Sequence, residues 1–208
     1  RRLRRGLAVL RANGTGLGVT TTYTYKRRGQ LASERQQWGS VDLTVGYSYD
    51  GNGALSAIAA PGLTVGYAPN ALGQPTQAGS YATGVQYYPN GAIKQFTYGN
   101  GIVHSMAQNA RQLPSRVIDS GGVLDNEYAY DRNGNVQSIL DWRDSNQNRA
   151  MTYDGLDRLL TASSPAFAAS GGGQLHQFAY NVLDNLTSWT RTGAKDYAQY
   201  VYTNNRLT

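Results

Sequence analysis

The chain is 208 residues long, lacks cysteine, and combines 25 glycines and 16 tyrosines with only 3 phenylalanines. Charged residues make up 15% of it, against about 25% in ordinary globular chains, and the formal charge of +6 is gathered at one end. These features exclude a disulfide framework, a thiolate or His-rich metal centre and a membrane-spanning helix, since no run approaches the roughly 18 apolar residues one needs.

Nine basic residues (Arg1, Arg2, Arg4, Arg5, Arg11, Lys26, Arg27, Arg28, Arg35) stand against Glu34 alone, and residues 36–208 are slightly acidic. Residues 1–12 form a basic N-terminal segment. Its apolar run, Leu7 to Leu10, is too short for a signal h-region, and without an initial Met the chain reads as a piece of something longer. A nucleic-acid footprint would run along a face of the folded domain. Charge confined to one end and one turn is read as a solvated cluster.

From residue 13 to 208 one pattern recurs: an aromatic, a spacer, an anchor Tyr, a polar turn, then a small residue or Asp, a spacer and an aliphatic. It reads Tyr23-Thr24-Tyr25 through Gly29 to Leu31, and Tyr47-Ser48-Tyr49-Asp50 through Gly53 to Leu55. Worn copies follow at Tyr67-Ala68-Pro69 with Gly73, at Tyr88-Pro89-Asn90-Gly91, and from Ala107 to Leu113. The pattern sharpens again at Tyr128-Ala129-Tyr130-Asp131 with Gly134 and Val136. In the copies led by Tyr153-Asp154 and by Tyr180-Asn181, Asp157 and Asp184 stand where Gly stood. The last copy ends on Tyr202. The nine copies have a mean period of about 22 residues.

Side chains within a copy alternate, with Leu124, Asn126, Tyr128 and Tyr130 on one face and Val123, Asp125, Glu127 and Ala129 on the other, which is strand periodicity. The Asp/Asn-Gly segment supplies a left-handed residue and an Asx bond, as a hairpin turn requires. A second turn punctuates several copies at Asn13-Gly14, Pro61-Gly62, Asn100-Gly101 and Gly121-Gly122. The expected fold is therefore all-β, a repetitive antiparallel hairpin sheet with two strands per repeat, winding as an open spiral. Residues Ala169 to Gln174 are expected to form an exposed flexible loop.

The structural anchors are Tyr25, Tyr49, Tyr67, Tyr88, Tyr130, Tyr153, Tyr180 and Tyr202. The turn residues are Gly29, Asp50, Gly53, Gly91, Gly101, Asp131, Gly134, Asp154 and Asp184. Neighbouring strands set same-face residues about 5 Å apart, so anchors repeated at one place are expected to build a ladder of stacked rings, with hydroxyls reaching water or a polar neighbour. Such a sheet is a thin wall. Its two unpaired edges predict aggregation or edge pairing in isolation.

At these residues the chain resembles the Rhs, or YD-repeat, family. Tyr49-Asp50, Tyr130-Asp131 and Tyr153-Asp154 match the family's Tyr-Asp hallmark, and Phe96-Thr97-Tyr98-Gly99-Asn100-Gly101 is similar to its Tyr-Gly-Asn-Gly hairpin. The resemblance implies a continuous β-sheet spiral that forms a hollow shell around a C-terminal toxin, as in bacterial polymorphic toxins and insecticidal Tc complexes. The partners it implies are the remaining repeats, the toxin cargo and a secretion apparatus, and the location is secreted or cell-surface. About eighteen strands at about 4.8 Å each span on the order of 85 Å, less than one wrap around a 100-residue cargo of roughly 13 Å radius of gyration. No Asp-Pro occurs, so the family's self-cleavage motif is missing and the chain reads as an internal wall segment.

Catalysis has little to stand on. His104 and His176 lie on strands as polar wall residues, no nucleophile elbow occurs, and Gly14 to Gly18 lacks the helix a phosphate loop needs. The recurring carboxylates are too sparse for a calcium ladder. No enzyme activity, cofactor or metal is expected. The alternative is a surface module that binds carbohydrate or a partner protein through its aromatic face, with Trp142 and Trp189 as stacking residues.

Overall fold

The computed structural model describes residues 8–12, 18–170, 174–191, 195–197, 199–203 and 206–207. Two compact units make up the chain, Arg1–Ile102 and Val103–Thr208, and the boundary falls inside the repeat array. Both are built of antiparallel strands that succeed one another in chain order, and the sheets are open rather than closed into barrels.

The first unit carries β1 (Ala8–Ala12), β2 (Val19–Tyr25), β3 (Leu31–Trp38), β4 (Val41–Tyr49), β5 (Leu55–Ala60) and β6 (Leu63–Gly66) in one six-stranded meander. A looped segment with a Pro69–Pro75 bridge leads to the hairpin β7 (Ala82–Tyr87) and β8 (Ile93–Tyr98). Tyr23, Glu34 and Val45 pair in succession across β2, β3 and β4, and Tyr47, Ile58 and Val65 do so beside them. These residues share one face, since same-face side chains recur every second position. Thr22, Arg35 and Thr44 pair on the other. The unit thus has an aromatic and aliphatic face and a face of small and polar residues.

The second unit continues with β9 (Val103–Gln108), β10 (Pro114–Asp119), β11 (Leu124–Tyr130), β12 (Val136–Asp141), β13 (Arg149–Tyr153), β14 (Leu159–Ser163), β15 (Leu175–Tyr180), β16 (Leu186–Arg191) and β17 (Lys195–Tyr197). A short hairpin of β18 (Tyr202–Thr203) and β19 (Arg206–Leu207) follows. Met106, Val117 and Asn126 pair on one face, and Ala107, Arg116, Glu127 and Leu140 on the other.

Among the described residues two 3₁₀ turns interrupt the strand pattern, Ser145–Gln147 and Pro165–Ser170. The second occupies the start of the segment expected to be a flexible loop, because Pro165 fixes its own φ and Phe167 N–H donates to the Ser164 carbonyl at 3.1 Å. Residues 171–173 of that expectation lie outside the described residues, as do residues 1–7 of the basic segment and the Asn13-Gly14 turn. Ser164 is 2% exposed and accepts from Ala166 N–H, while its hydroxyl donates to the Asn146 carbonyl, tying the two 3₁₀ turns together.

No hydrophobic side chain among the described residues is fully buried. A sheet one layer thick leaves its apolar side chains partly wet, so the hydrophobic term is spread over half-buried rings and aliphatics instead of gathered in a centre. Order must then come from cross-strand pairs and hydrogen bonds, each contributing about 0.5–1.5 kcal/mol net.

Candidate functional site: the stitched edge of the sheet

A single five-residue turn recurs through the chain. Asp50 N–H donates to the Ala54 carbonyl at 2.9 Å, and Gly53 N–H returns to the Asp50 carbonyl at 3.1 Å. The same two bonds close the turns at Lys26–Gln30, Asn70–Gln74, Tyr88–Ala92, Tyr98–Ile102, Asn109–Leu113, Asp131–Asn135, Asp154–Arg158 and Asn181–Asn185. This is a three-residue hairpin loop whose last residue, the fourth of the five-residue turn, must enter the left-handed region. That position holds Gly29, Gly53, Gly73, Gly91, Gly101 and Gly134, then Gln112, Asp157 and Asp184, with φ between 61° and 101°. Asp and Gln tolerate the position at a cost that glycine avoids.

The first residue of the turn supplies the second fastening. Asp50 Oδ1 accepts the N–H groups of Asn52 and Ala54, Asp131 Oδ1 those of Asn133, Gly134 and Asn135, and Asp154 Oδ1 those of Leu156 and Arg158. Asn70, Asn109 and Asn181 do the same with an amide oxygen. For Asp154 the Arg158 N–H leads the bonds that hold its carboxyl below the usual carboxylate range, against some desolvation. At Asp131 desolvation pushes upward, and the donors from Asn135, Gly134 and Asn133 together outweigh it.

In the well-kept copies the anchor tyrosine sits at the strand end before the turn, at a β-bulge where the register shifts by one residue: Tyr49 opposite Leu55, Tyr130 opposite Val136, Tyr153 opposite Leu159, Tyr180 opposite Leu186. Each ring reaches back across the sheet to the preceding copy. Tyr49 donates its hydroxyl proton to the Leu31 carbonyl at 2.9 Å, Tyr130 to Pro114 at 2.7 Å, Tyr153 to Val136 at 3.0 Å, Tyr180 to Leu159 at 3.0 Å and Tyr202 to Leu186 at 2.9 Å. The acceptor is the residue that opens the strand after the previous turn. The recurring link between these copies is thus a hydrogen bond at the tip of the ring, where a ladder of stacked anchor rings was expected. Desolvation raises the pKa values of the Tyr130 and Tyr153 hydroxyls, with Tyr128 and Asp131 respectively adding to it, so both remain donors.

The worn copies differ by register. In the copy led by Tyr88-Pro89, Tyr87 ends the strand and donates to the Pro75 carbonyl at 2.6 Å, while Tyr88 opens the turn and faces Lys94. In the copy led by Tyr67, Pro69 holds the strand-end position and Tyr67 carries main-chain bonds to Ser56, Thr76 and Gln77. Tyr25 pairs with Leu31 and is 37% exposed. Gly101 lies in the turn at the opposite end of β8 from Gly91. The neighbouring Gly99 is needed for space, since a Cβ there would lie 2.5 Å from the Ser80 carbonyl oxygen.

Neighbouring turns are also tied to one another, a set of contacts the sequence reading missed. Gln30 reaches the Gly53 carbonyl at 2.9 Å, and Arg111 the Asp131 carbonyl at 2.8 Å. Asn133 and Asn135 both donate to Asp157 Oδ1 at 2.7 Å. Arg158 binds Asp154 within its own turn and Asn181 and Asp184 in the next, with its guanidinium 4.9 Å from the Tyr180 ring. Part of the signal was present at the fifth turn position, where a polar side chain recurs as Gln30, Gln74, Asn135, Arg158 and Asn185, whereas Arg111 and Asn133 reach out from the third position.

The two tryptophans do not share a surface. Trp142 follows β12, is 60% exposed, donates to Glu127 and stacks against Arg116, which itself holds Asp125 through two bonds at 2.8 and 2.9 Å. Trp189 pairs with Phe178 on the opposite face and donates to His176. His104 is bonded through Nδ1 to Asp119 at 2.7 Å, its cross-strand partner. Among the described residues no three His, Cys, Asp or Glu side chains converge. A shallow depression of about 840 Å³ over Arg35, Asp42, Gly46 and Ala59 presents only the Arg35–Asp42 ion pair and small residues.

The arrangement defines a class of protein, an open antiparallel hairpin array stitched along its turn edge. No family model matches the chain, and no curated protein does. Solved structures of Tc toxin assemblies share its fold. The TcdB2-TccC3-Cdc42 crystal structure matches 90% of this chain at a TM-score of 0.74 and 15% identity. A Photorhabdus luminescens Tc holotoxin pore carrying a TccC3 mutation matches 90% at 0.71 and 17%, and TcdB2-TccC3 without its hypervariable C-terminal region 90% at 0.71 and 15%. The chain spans 12% of each of those chains. These likenesses bear out the Rhs/YD-repeat resemblance at the level of fold. No helix among the described residues is long and apolar enough to cross a membrane.

Proposed function

We propose that this chain is a wall segment of an exported Rhs-type toxin shell, one that spirals around a C-terminal toxin cargo and sequesters it by steric enclosure. The observation that carries the reading is the edge-stitched sheet with no fully buried hydrophobic side chain among the described residues, in a fold shared with the TcdB2-TccC3 assemblies. A surface built this way has little to offer as a catalyst and much as a partition: its hydrogen bonds run along the sheet, and its two faces differ in polarity. Its partners are the remaining repeats of the parent polypeptide, the cargo they surround and the secretion apparatus that exports them. Carbohydrate binding through an aromatic platform is the weaker reading, because Trp142 and Trp189 lie on opposite faces and cannot stack on one sugar chain.

The test is protease protection of the parent polypeptide. The sequence that follows the repeats should resist digestion while the array is intact and become sensitive when Tyr130, Tyr153 and Tyr180 are together changed to Phe. Equal sensitivity before and after would overturn enclosure. A glycan array is expected to show no signal that depends on Trp142.

A further inference from the structure

A cluster outside the stitched edge carries a separate inference. His176 on β15 lies against Phe167 of the Pro165–Ser170 turn, with ring centroids 4.6 Å apart and nearly perpendicular, and against Trp189 of β16 at 5.7 Å. Phe178 and Tyr197 extend the stack, at 6.2 and 6.0 Å from Trp189. Within the cluster the Trp189 indole N–H donates to Nδ1 of His176 at 2.7 Å. Indole nitrogen is a donor only. Nδ1 must therefore be the acceptor, which requires a neutral imidazole carrying its proton on Nε2.

We infer that this bond is an acid-sensitive latch, closed while His176 is neutral and opened when a solvent proton occupies Nδ1. On protonation the ring has two N–H donors and no acceptor, so the His176 and Trp189 N–H groups oppose each other across the former bond. Among the described side chains the charged group that faces the imidazole compounds the conflict: Arg191 of β16 is its cross-strand partner. β14 presents Ala162 and the 3₁₀ turn presents Phe167, neither of them titratable. Desolvation, followed by Arg191, holds the imidazole pKa below the ordinary histidine value, in the same direction as the geometry. Release of Trp189 frees the contact that joins β15, β16 and the 3₁₀ turn, so acid loosens this end of the sheet while the hydroxyl stitches elsewhere stay made.

The sign follows from linkage. A histidine whose folded pKa is depressed contributes stability that is complete above the unfolded-chain value of about 6.5 and is lost as pH falls below that toward the folded value. The decisive measurement is a nitrogen-15 NMR titration of the chain from pH 8 to pH 4.5, with Trp189→Phe to assign the indole resonance. The expected result is an unprotonated Nδ1 above pH 7 and an indole shift that moves with the His176 midpoint. In parallel, His176→Asn sets an amide oxygen near the place of Nδ1 and does not titrate. The wild type should lose melting temperature between pH 7.5 and 5, on the order of a few degrees, and the Asn variant should not share that loss. A proton on Nδ1 at neutral pH, an indole resonance indifferent to the His176 titration, or an equal loss in both proteins would overturn the latch. If His176→Asn does not fold, the wild-type titration decides alone.

Discussion

The hydroxyl of Tyr153 donates to the main-chain carbonyl of Val136, one repeat upstream, at 3.0 Å. Tyr180 repeats the relation with Leu159, and Tyr202 with Leu186, so each of these copies is fastened to its predecessor by one ring. The ring contributes area along its length and a donor at its tip, and the two can be separated by mutation.

Tyr153→Phe should keep the packing and cost about 1 kcal/mol, the net value of one hydrogen bond. Tyr153→Ala should cost roughly 2–3 kcal/mol, since a half-buried ring forfeits part of what a fully buried one would. Urea unfolding of both variants checks this. Equal costs would assign the whole effect to packing.

The left-handed turn position separates residues by backbone alone. Gly53→Ala and Gly134→Ala should each cost about 1–2 kcal/mol, because φ values of 93° and 101° crowd a Cβ against the following carbonyl. Gln112→Gly, at φ 63°, should raise the melting temperature by relieving the same strain. Gly99→Ala should be worse than either turn glycine, since the Ser80 carbonyl is main chain and has little room to yield. Thermal melts of the four variants give the order.

Acid should act on the turns at a lower pH than on His176. The carboxyls of Asp131 and Asp154 are held below their unfolded values, so their stabilisation is present above about pH 4 and is lost as pH falls through the folded values. Asp131→Asn and Asp154→Asn keep the accepting oxygen and remove the charge. Melting curves between pH 6 and pH 2 should flatten in the double variant relative to wild type.

Trp189→Ala should destabilise the chain by roughly 2–3 kcal/mol, because it removes both the stacked ring and the His176 bond. Trp142→Ala, 60% exposed, should cost under about 1 kcal/mol. Melting measurements with the two reversed in order would place the structural ring on the wrong face.

Much of this edge was legible in the residues. Alternation from Val123 to Tyr130 gave the strands, and Asp157 and Asp184 standing in for glycine marked turns that the structure finds at φ 61° and 62°. What pattern alone could not supply was register. Tyr87 and Tyr88 are adjacent and chemically identical, and only the closing bond from Tyr88 N–H to the Ala92 carbonyl makes Tyr88 the first turn residue and Tyr87 the strand end. Gln112 at a left-handed position was equally hidden, because residue preference there is statistical. The partner of each tyrosine hydroxyl was out of reach for a different reason: the acceptor is main chain, and every residue type carries one.

That last property has a consequence for how such arrays evolve. The carbonyls that receive the tyrosines belong to Leu31, Pro114, Val136, Leu159 and Leu186, and the identity of the receiving residue is immaterial to the bond. A stitch that ignores its neighbour's side chains lets a module be duplicated, shortened or exchanged in the genome and still find an acceptor, while ties such as Asn133 to Asp157 and Arg158 to Asp184 are the part that depends on which neighbour arrives.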